Sequence, residues 1–113
     1  MKKLEGTNGE NFACQYLINK GFKILYRNFR SKFGEIDIIA NKGDLIIFVE
    51  VKLRNSNKFG KGFEAVSKSK IEKIIKTSQY FISLQTERYI YRYDVISIDD
   101  NKITHIENAF QYE

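Results

Sequence analysis

The sequence predicts a single α/β domain with helices packed on a sheet, and three observations carry that expectation. At 113 residues the chain can build one real core but not two. Two segments of helical apolar spacing are interleaved with segments of strand character, in the order αβββαββ. One strand segment, LIIFVEV, is apolar on both faces, as in a strand covered on both sides.

The first helix is expected over residues 8–20, with Thr7 as N-cap and Gly21 as the residue just past its end. A strand over residues 22–30 and a short turn at Ser31-Lys32-Phe33 follow. Residues 34–40 and 45–54 form a hairpin about Asn41-Lys42-Gly43-Asp44, and NSNKFGKG, residues 55–62, reads as a polar loop. The second helix is expected over residues 67–84. Ile71, Ile74, Ile75, Ser78 and Ile82 lie on its inner face, while Lys68, Lys70, Lys73 and Lys76 mostly take others. Residues 88–99 form a strand with Tyr89, Tyr91 and Tyr93 in alternation. Asp100-Asn101 makes a turn, and residues 102–106 form a last short strand.

Composition excludes several classes. No segment approaches the ~20 apolar residues of a membrane span, and MKKLEGTNGE holds no secretion-type apolar region. The single Cys14 argues against an internal disulfide and a thiolate zinc site, and points to a reduced, cytoplasmic setting. The net charge of +5 is modest, but its distribution is uneven. Lys20 to Lys32 holds five basic residues and no acidic one, and Lys52 to Lys76 holds eight against Glu64 and Glu72. Asp94 to Glu113 holds five acidic residues and one Lys. Such asymmetry suits an oriented polyanion site, with nucleic acid the first candidate, though a merely solvated lysine-rich surface gives the same pattern.

The hairpin carries charges where a core is expected. Side chains two apart on a strand share a face, so Glu50 and Lys52 point the same way. A loop of Lys42-Gly43, or of all four residues from Asn41 to Asp44, pairs Asp37 opposite Phe48. Asp37 then joins that face, with Glu50 on its diagonal at roughly 7–8 Å between Cα atoms. The other face, with Ile36, Ile38, Ala40, Ile47, Val49 and Val51, is core. Ile39, Ile46 and Phe48 make a second apolar layer under a helix. Half-buried carboxylates that repel each other need a compensating cation. Lys52 supplies one charge in an ordinary salt bridge, and Mg²⁺ or Mn²⁺ would supply two.

GEIDIIA followed by FVEVK resembles the PD-(D/E)xK motif of the restriction-endonuclease-like superfamily, which includes archaeal Holliday junction resolvases. More closely, nine stretches are similar to the YraN family of endonuclease-like bacterial proteins. They are Gly9-Glu10, Tyr16-Leu17, Asn28 to Arg30, GEIDIIA, IFVEVKLR, Phe59-Gly60, Glu64 to Val66, YDVISI and Ala109-Phe110, and together they span nearly the whole chain. The resemblance implies a restriction-endonuclease-like three-layer α/β/α core with a mixed sheet, and Mg²⁺-dependent phosphodiester hydrolysis. Asp37 and Glu50 match the metal carboxylates and Lys52 the catalytic lysine. The proline that names the motif is absent, and Ile36 stands before the aspartate.

Supporting residues keep two readings each. Thr7-x-x-Glu10 fits a capping box, while Glu10 shares a stripe with Ala13 and Leu17 and resembles the first-helix glutamate that approaches the metal in resolvase-like members. Lys70 resembles a helix position that assists such sites, or is simply solvated. Glu35 shares the parity of Asp37 and reads as a surface residue, with a ligand role as the alternative. Arg27 and Arg30 either contact phosphate or cover the sheet edge with their stems. Arg54, Lys58, Lys61, Lys68 and Lys70 supply further charge toward a nucleic-acid backbone. His105 reads as structural, and the alternating tyrosines as packing residues rather than base-stacking ones. The expected function is a metal-dependent endonuclease on DNA, branched DNA among the candidates, with a non-catalytic nucleic-acid-binding module as the alternative. One domain holds one site, so cutting two strands requires two copies, which a homodimer would supply.

Overall fold

The computed structural model describes residues 6–54 and 66–111. Its elements follow the expected order: α1 (Gly6–Asn19), β1 (Lys23–Ser31), β2 (Gly34–Lys42), β3 (Leu45–Arg54), α2 (Lys68–Ser83), β4 (Ile90–Asp99) and β5 (Lys102–Phe110). The strands form one five-stranded mixed sheet in the order β1-β2-β3-β4-β5. Only β3 and β4 run parallel, and a parallel neighbour requires a crossover, which here contains α2.

Helix α1 buries Ala13, Cys14 and Leu17 against the sheet. It ends as the glycine predicts. Gly21, at φ 96°, donates to the Ile18 carbonyl, and Phe22 donates back to Leu17 at 3.0 Å. That pair of bonds satisfies helix-end carbonyls, and Phe22 packs with Leu17 in the same core. The N-terminus differs from the expectation. Thr7 lies inside the helix rather than before it, so it is not the cap. Helix α2 begins at the predicted Ser67, whose hydroxyl accepts from the Lys70 N–H at 3.1 Å.

Two hydrophobic layers alternate along the strands. Ile38, Ala40, Ile47, Val49, Ile96 and Ile98 join α1 in one, and Ile39, Ile46, Phe48 and Tyr93 join α2 in the other. Phe48 stacks on Tyr91 and Tyr93 with ring centroids 5.7 and 5.4 Å apart, so these tyrosines are packing residues. Inward on α2 are Ile74, Thr77, Ser78 and Phe81, a stripe rotated from the isoleucine face expected. Polar Thr77 can be inward because its hydroxyl bonds Ser31 at 2.8 Å, and Ser78 bonds Tyr93 at 2.6 Å.

The hairpin register differs from the one expected. Lys42 pairs with Leu45 and Ile39 with Phe48, so the two-residue turn is Gly43-Asp44. Gly43 takes φ 61° at the first central position, where glycine is free of the Cβ clash. Asn41 fixes this choice by donating its side-chain amide to the Gly43 and Leu45 carbonyls. A second difference concerns Ile36, which packs in the α2 layer although Ile38 packs in the α1 layer. Strict alternation would put both on one face. The chain turns over at Asp37, and across the ladder Asn28 of β1 sits at φ 54° on the same rung.

Candidate metal and nucleic-acid site

Asp37 and Glu50 come together where β2 and β3 part. The ladder runs from Lys42↔Leu45 to Ile38↔Val49, and Asp37 and Glu50 are the residues just past its last rung. Beyond Ile38 the main-chain pairing ends. The Val51 N–H donates instead to Asp37 Oδ2 at 2.8 Å. The carboxylate is thereby tied to β3, beside Glu50.

Electrostatics at this rung are unfavourable to two negative charges. The Asp37 carboxyl is pushed from 3.8 up to about 7, first by loss of solvent and then by the Glu50 carboxylate. The Val51 N–H and the Lys70 ammonium pull the other way and do not offset it. Glu50 is only 6% exposed. Its Oε2 lies 3.4 Å from Lys70 Nζ, while its buried Oε1 has no hydrogen-bond partner among the described residues.

Lys52 stands on the face of Glu50 and is half-buried, but among the described residues no ion pair joins it to Asp37 or Glu50. The cation within reach of Glu50 is Lys70, which the sequence left as solvated or assisting. Two residues that sequence reasoning missed extend the polar face. The parallel register aligns Ser97 with Lys52 and Asp99 with Arg54. Ser97 Oγ and Asp99 Oδ1 are likewise buried without a partner among the described residues. Their signal was visible as polar residues at alternate places in YDVISID, but the parallel pairing that brings them to β3 was not.

Glu10 stays with α1 and β1. Its Oε1 accepts from Asn28 Nδ2 at 3.1 Å and lies 3.4 Å from Arg27 Nη2, and Arg27 also donates to Asn11 at 2.6 Å. Asn28 is the residue across from Asp37, so Glu10 reaches the sheet at the right rung but one strand away. No group of three acidic, His or Cys side chains placed to hold a metal occurs among the described residues. Arg30 pairs with Glu35 at 2.8 Å, and Lys68 is exposed at the start of α2. Lys58 and Lys61 lie outside the described residues.

His105 belongs to a separate network beneath α1. Its Nε2 is 2.8 Å from Asp94 Oδ2, and its Nδ1 is 3.0 Å from the Tyr16 hydroxyl. Arg92 donates twice to Asp94, which also accepts the Asn108 N–H at the irregular step between β4 and β5. Those donors hold the Asp94 carboxyl below its ordinary value although burial opposes them. Both ring nitrogens are thus engaged within this network, away from the carboxylate pair, which fits the structural histidine expected.

Fold and site together define a mixed α/β domain whose sheet presents a partly desolvated carboxylate pair flanked by lysines. The chain belongs to the uncharacterised protein family UPF0102, whose model matches residues 9–98. It is 51% identical to a UPF0102 protein of Thermodesulfovibrio yellowstonii, over 97% of this chain and 99% of that one. A UPF0102 protein of a Sulfurihydrogenibium species is 46% identical over 99% and 98% of the two chains, and one of Persephonella marina is 45% identical over 97% and 96%. No helix among the described residues is long and apolar enough to cross a membrane.

Proposed function

We propose that this chain is a restriction-endonuclease-like nuclease that hydrolyses phosphodiester bonds of DNA with a divalent cation, Mg²⁺ or Mn²⁺. The observation that carries this reading is the Asp37–Glu50 pair. A carboxyl brought into a partly desolvated place beside a second carboxylate gains proton affinity, as Asp37 does, unless a cation is present. The residues fit such a cation. Glu50 Oε1 is a buried acceptor with no partner among the described residues, and carboxylate oxygen suits Mg²⁺ and Mn²⁺.

Asp37 and Glu50 would hold the cation, which when bound supplies Lewis-acid polarisation of the scissile phosphate and of water. The remaining work falls to the chain's own side chains. Lys52, half-buried on the face of Glu50, orients the attacking water and offsets charge building on the phosphate. Lys70 fixes the Glu50 carboxylate from α2, while Lys68 and Arg54 would supply charge to the DNA backbone. Glu10 would need a new rotamer, leaving Asn28, before it joined the pair. One chain holds one site, so a cut in both strands calls for two chains.

Cleavage of a panel of linear and branched DNA during a Mg²⁺ or Mn²⁺ titration tests the reading. Asp37→Asn, Glu50→Gln and Lys52→Ala should each abolish metal-dependent cleavage while remaining folded. Near wild-type activity in all three would reject the assignment. A non-catalytic nucleic-acid-binding module is the second reading, favoured by the Glu50–Lys70 ion pair that already provides Glu50 with a cation. It requires metal-independent DNA binding and no cleavage under any condition.

A further inference from the structure

Away from the carboxylate pair, the turn between β1 and β2 carries an exposed aromatic ring among cations. Phe33 is 42% exposed at the tip of this turn. Lys32 Nζ lies 5.3 Å from its ring centroid and Lys76 Nζ 5.4 Å, one on each side in sequence, from the turn and from α2. Arg30, Ser31, Lys32, Phe33, Gly34 and Glu35 line a shallow concavity of about 450 Å³. An apolar ring at a turn tip costs solvation unless something covers it, and lysines do so only partly.

The turn is held firmly. Ser31 Oγ accepts the Phe33 N–H at 3.0 Å and bonds Thr77 of α2 at 2.8 Å. A Cβ added at Gly34 would meet Lys73 Cβ at 3.2 Å, so glycine allows the turn to lie directly on the helix. The same helix carries Lys70, which touches Glu50. Lys76 follows Lys70 by six residues, about 9 Å along the axis. The aromatic tip therefore lies beside the helix whose Lys70 meets Glu50, with Arg30, Lys32, Lys73 and Lys76 around it and all four exposed.

We propose that Phe33, framed by Lys32 and Lys76, is a stacking site for an unpaired nucleobase, so that the substrate class is single-stranded or branched nucleic acid. Every base offers a π-face to stack on, and phosphates on either side draw the two lysines from the ring, so one site serves any sequence. A fully paired duplex buries its base faces and leaves the ring without a partner. The substrate preference rests on the nuclease reading above, whereas base binding stands apart from it.

The chain contains no Trp, so Phe33→Trp installs a single reporter. In EDTA, where cleavage by a divalent-metal enzyme stops, oligothymidine should quench that fluorescence and a blunt duplex of equal length should quench it far less. Phe33→Ala should weaken oligothymidine binding on the order of 5- to 150-fold, the worth of one base–aromatic stack, and duplex binding by less than about twofold. Phe33→Tyr should retain the wild-type ratio, and unchanged melting curves of all three variants exclude a folding effect. Equal weakening of both ligands, an unquenched tryptophan under saturating oligonucleotide, or a Phe33-dependent dimer by light scattering would each overturn the proposal. Loss of cleavage in Asp37→Asn with the quench intact would leave base binding standing. An absent quench with metal-dependent cleavage intact would reject base binding alone.

Discussion

Removing the charge of Asp37 while keeping its shape separates a cation site from a structural ion pair. Asparagine in Asp37→Asn preserves an acceptor for the Val51 N–H but ends the repulsion with Glu50. The wild-type carboxyl is raised from 3.8 to about 7, so its contribution is full below the unfolded value and lost as pH rises through about 7. The difference of 7 − 3.8 is 3.2 pH units, worth about 4 kcal/mol at about 1.36 kcal/mol per unit. Roughly two-thirds of this falls between about pH 5 and about pH 8. Asp37 retains some solvent, which screens the repulsion, so about 1–2 kcal/mol is the expected measurable part. In metal-free buffer the melting temperature of Asp37→Asn relative to wild type should therefore rise by roughly 4–10 °C from about pH 5 to about pH 8. Asp94 titrates below this window in the folded state and is common to both proteins, so it cancels. A difference that stays flat across the window, or one that falls, would refute the account of Asp37 as a desolvated acid facing a second one.

Two further outcomes follow from the same structure. Asp94→Asn leaves Arg92 and His105 facing a neutral group in a fully buried position, and should cost about 3–5 kcal/mol by urea unfolding. A loss under about 1 kcal/mol would show that the network beneath α1 does not hold β4 and β5 together. DNA binding should fall with salt at a log–log slope of about −0.9 per phosphate contact, and Lys58→Ala with Lys61→Ala should make it shallower for every sequence; affinity insensitive to salt would contradict the electrostatic account.

How much was legible in the sequence depended on the range of the interaction. The stop of α1 was readable because Gly21 and Phe22 settle it among neighbours, and Ser67 announced α2 for the same reason. Every even loop preserves the parity of the paired part of the hairpin, but the register moved by two residues. That register depends on which residue takes positive φ, and Gly43 took it at the first central position. The crossing of Ile36 to the other layer had no local signal, since Asn28 and Asp37 turn over together only once the strands pair. The final strand runs to Phe110 rather than residue 106 because Asn108, at φ 53°, absorbs an irregular step that breaks the apolar alternation. Lys70 meets Glu50 through a crossover, and Ser97 and Asp99 align with Lys52 and Arg54 through a parallel register, neither of which residue spacing alone sets. The Asp94–His105–Tyr16 chain was hidden by distance, Tyr16 and His105 lying 89 residues apart.

Thermal melting with and without Mn²⁺, for wild type and Glu50→Gln, tests the claim of a metal site without requiring the substrate. Without metal, Glu50→Gln should melt at or above the wild-type temperature, because a repelling charge has been removed beside Asp37. With Mn²⁺ at about 100 times its dissociation constant, wild type should gain about 2.7 kcal/mol and Glu50→Gln much less. A destabilised Glu50→Gln, together with a wild type that does not respond to Mn²⁺, would mean that Glu50 serves only as the partner of Lys70.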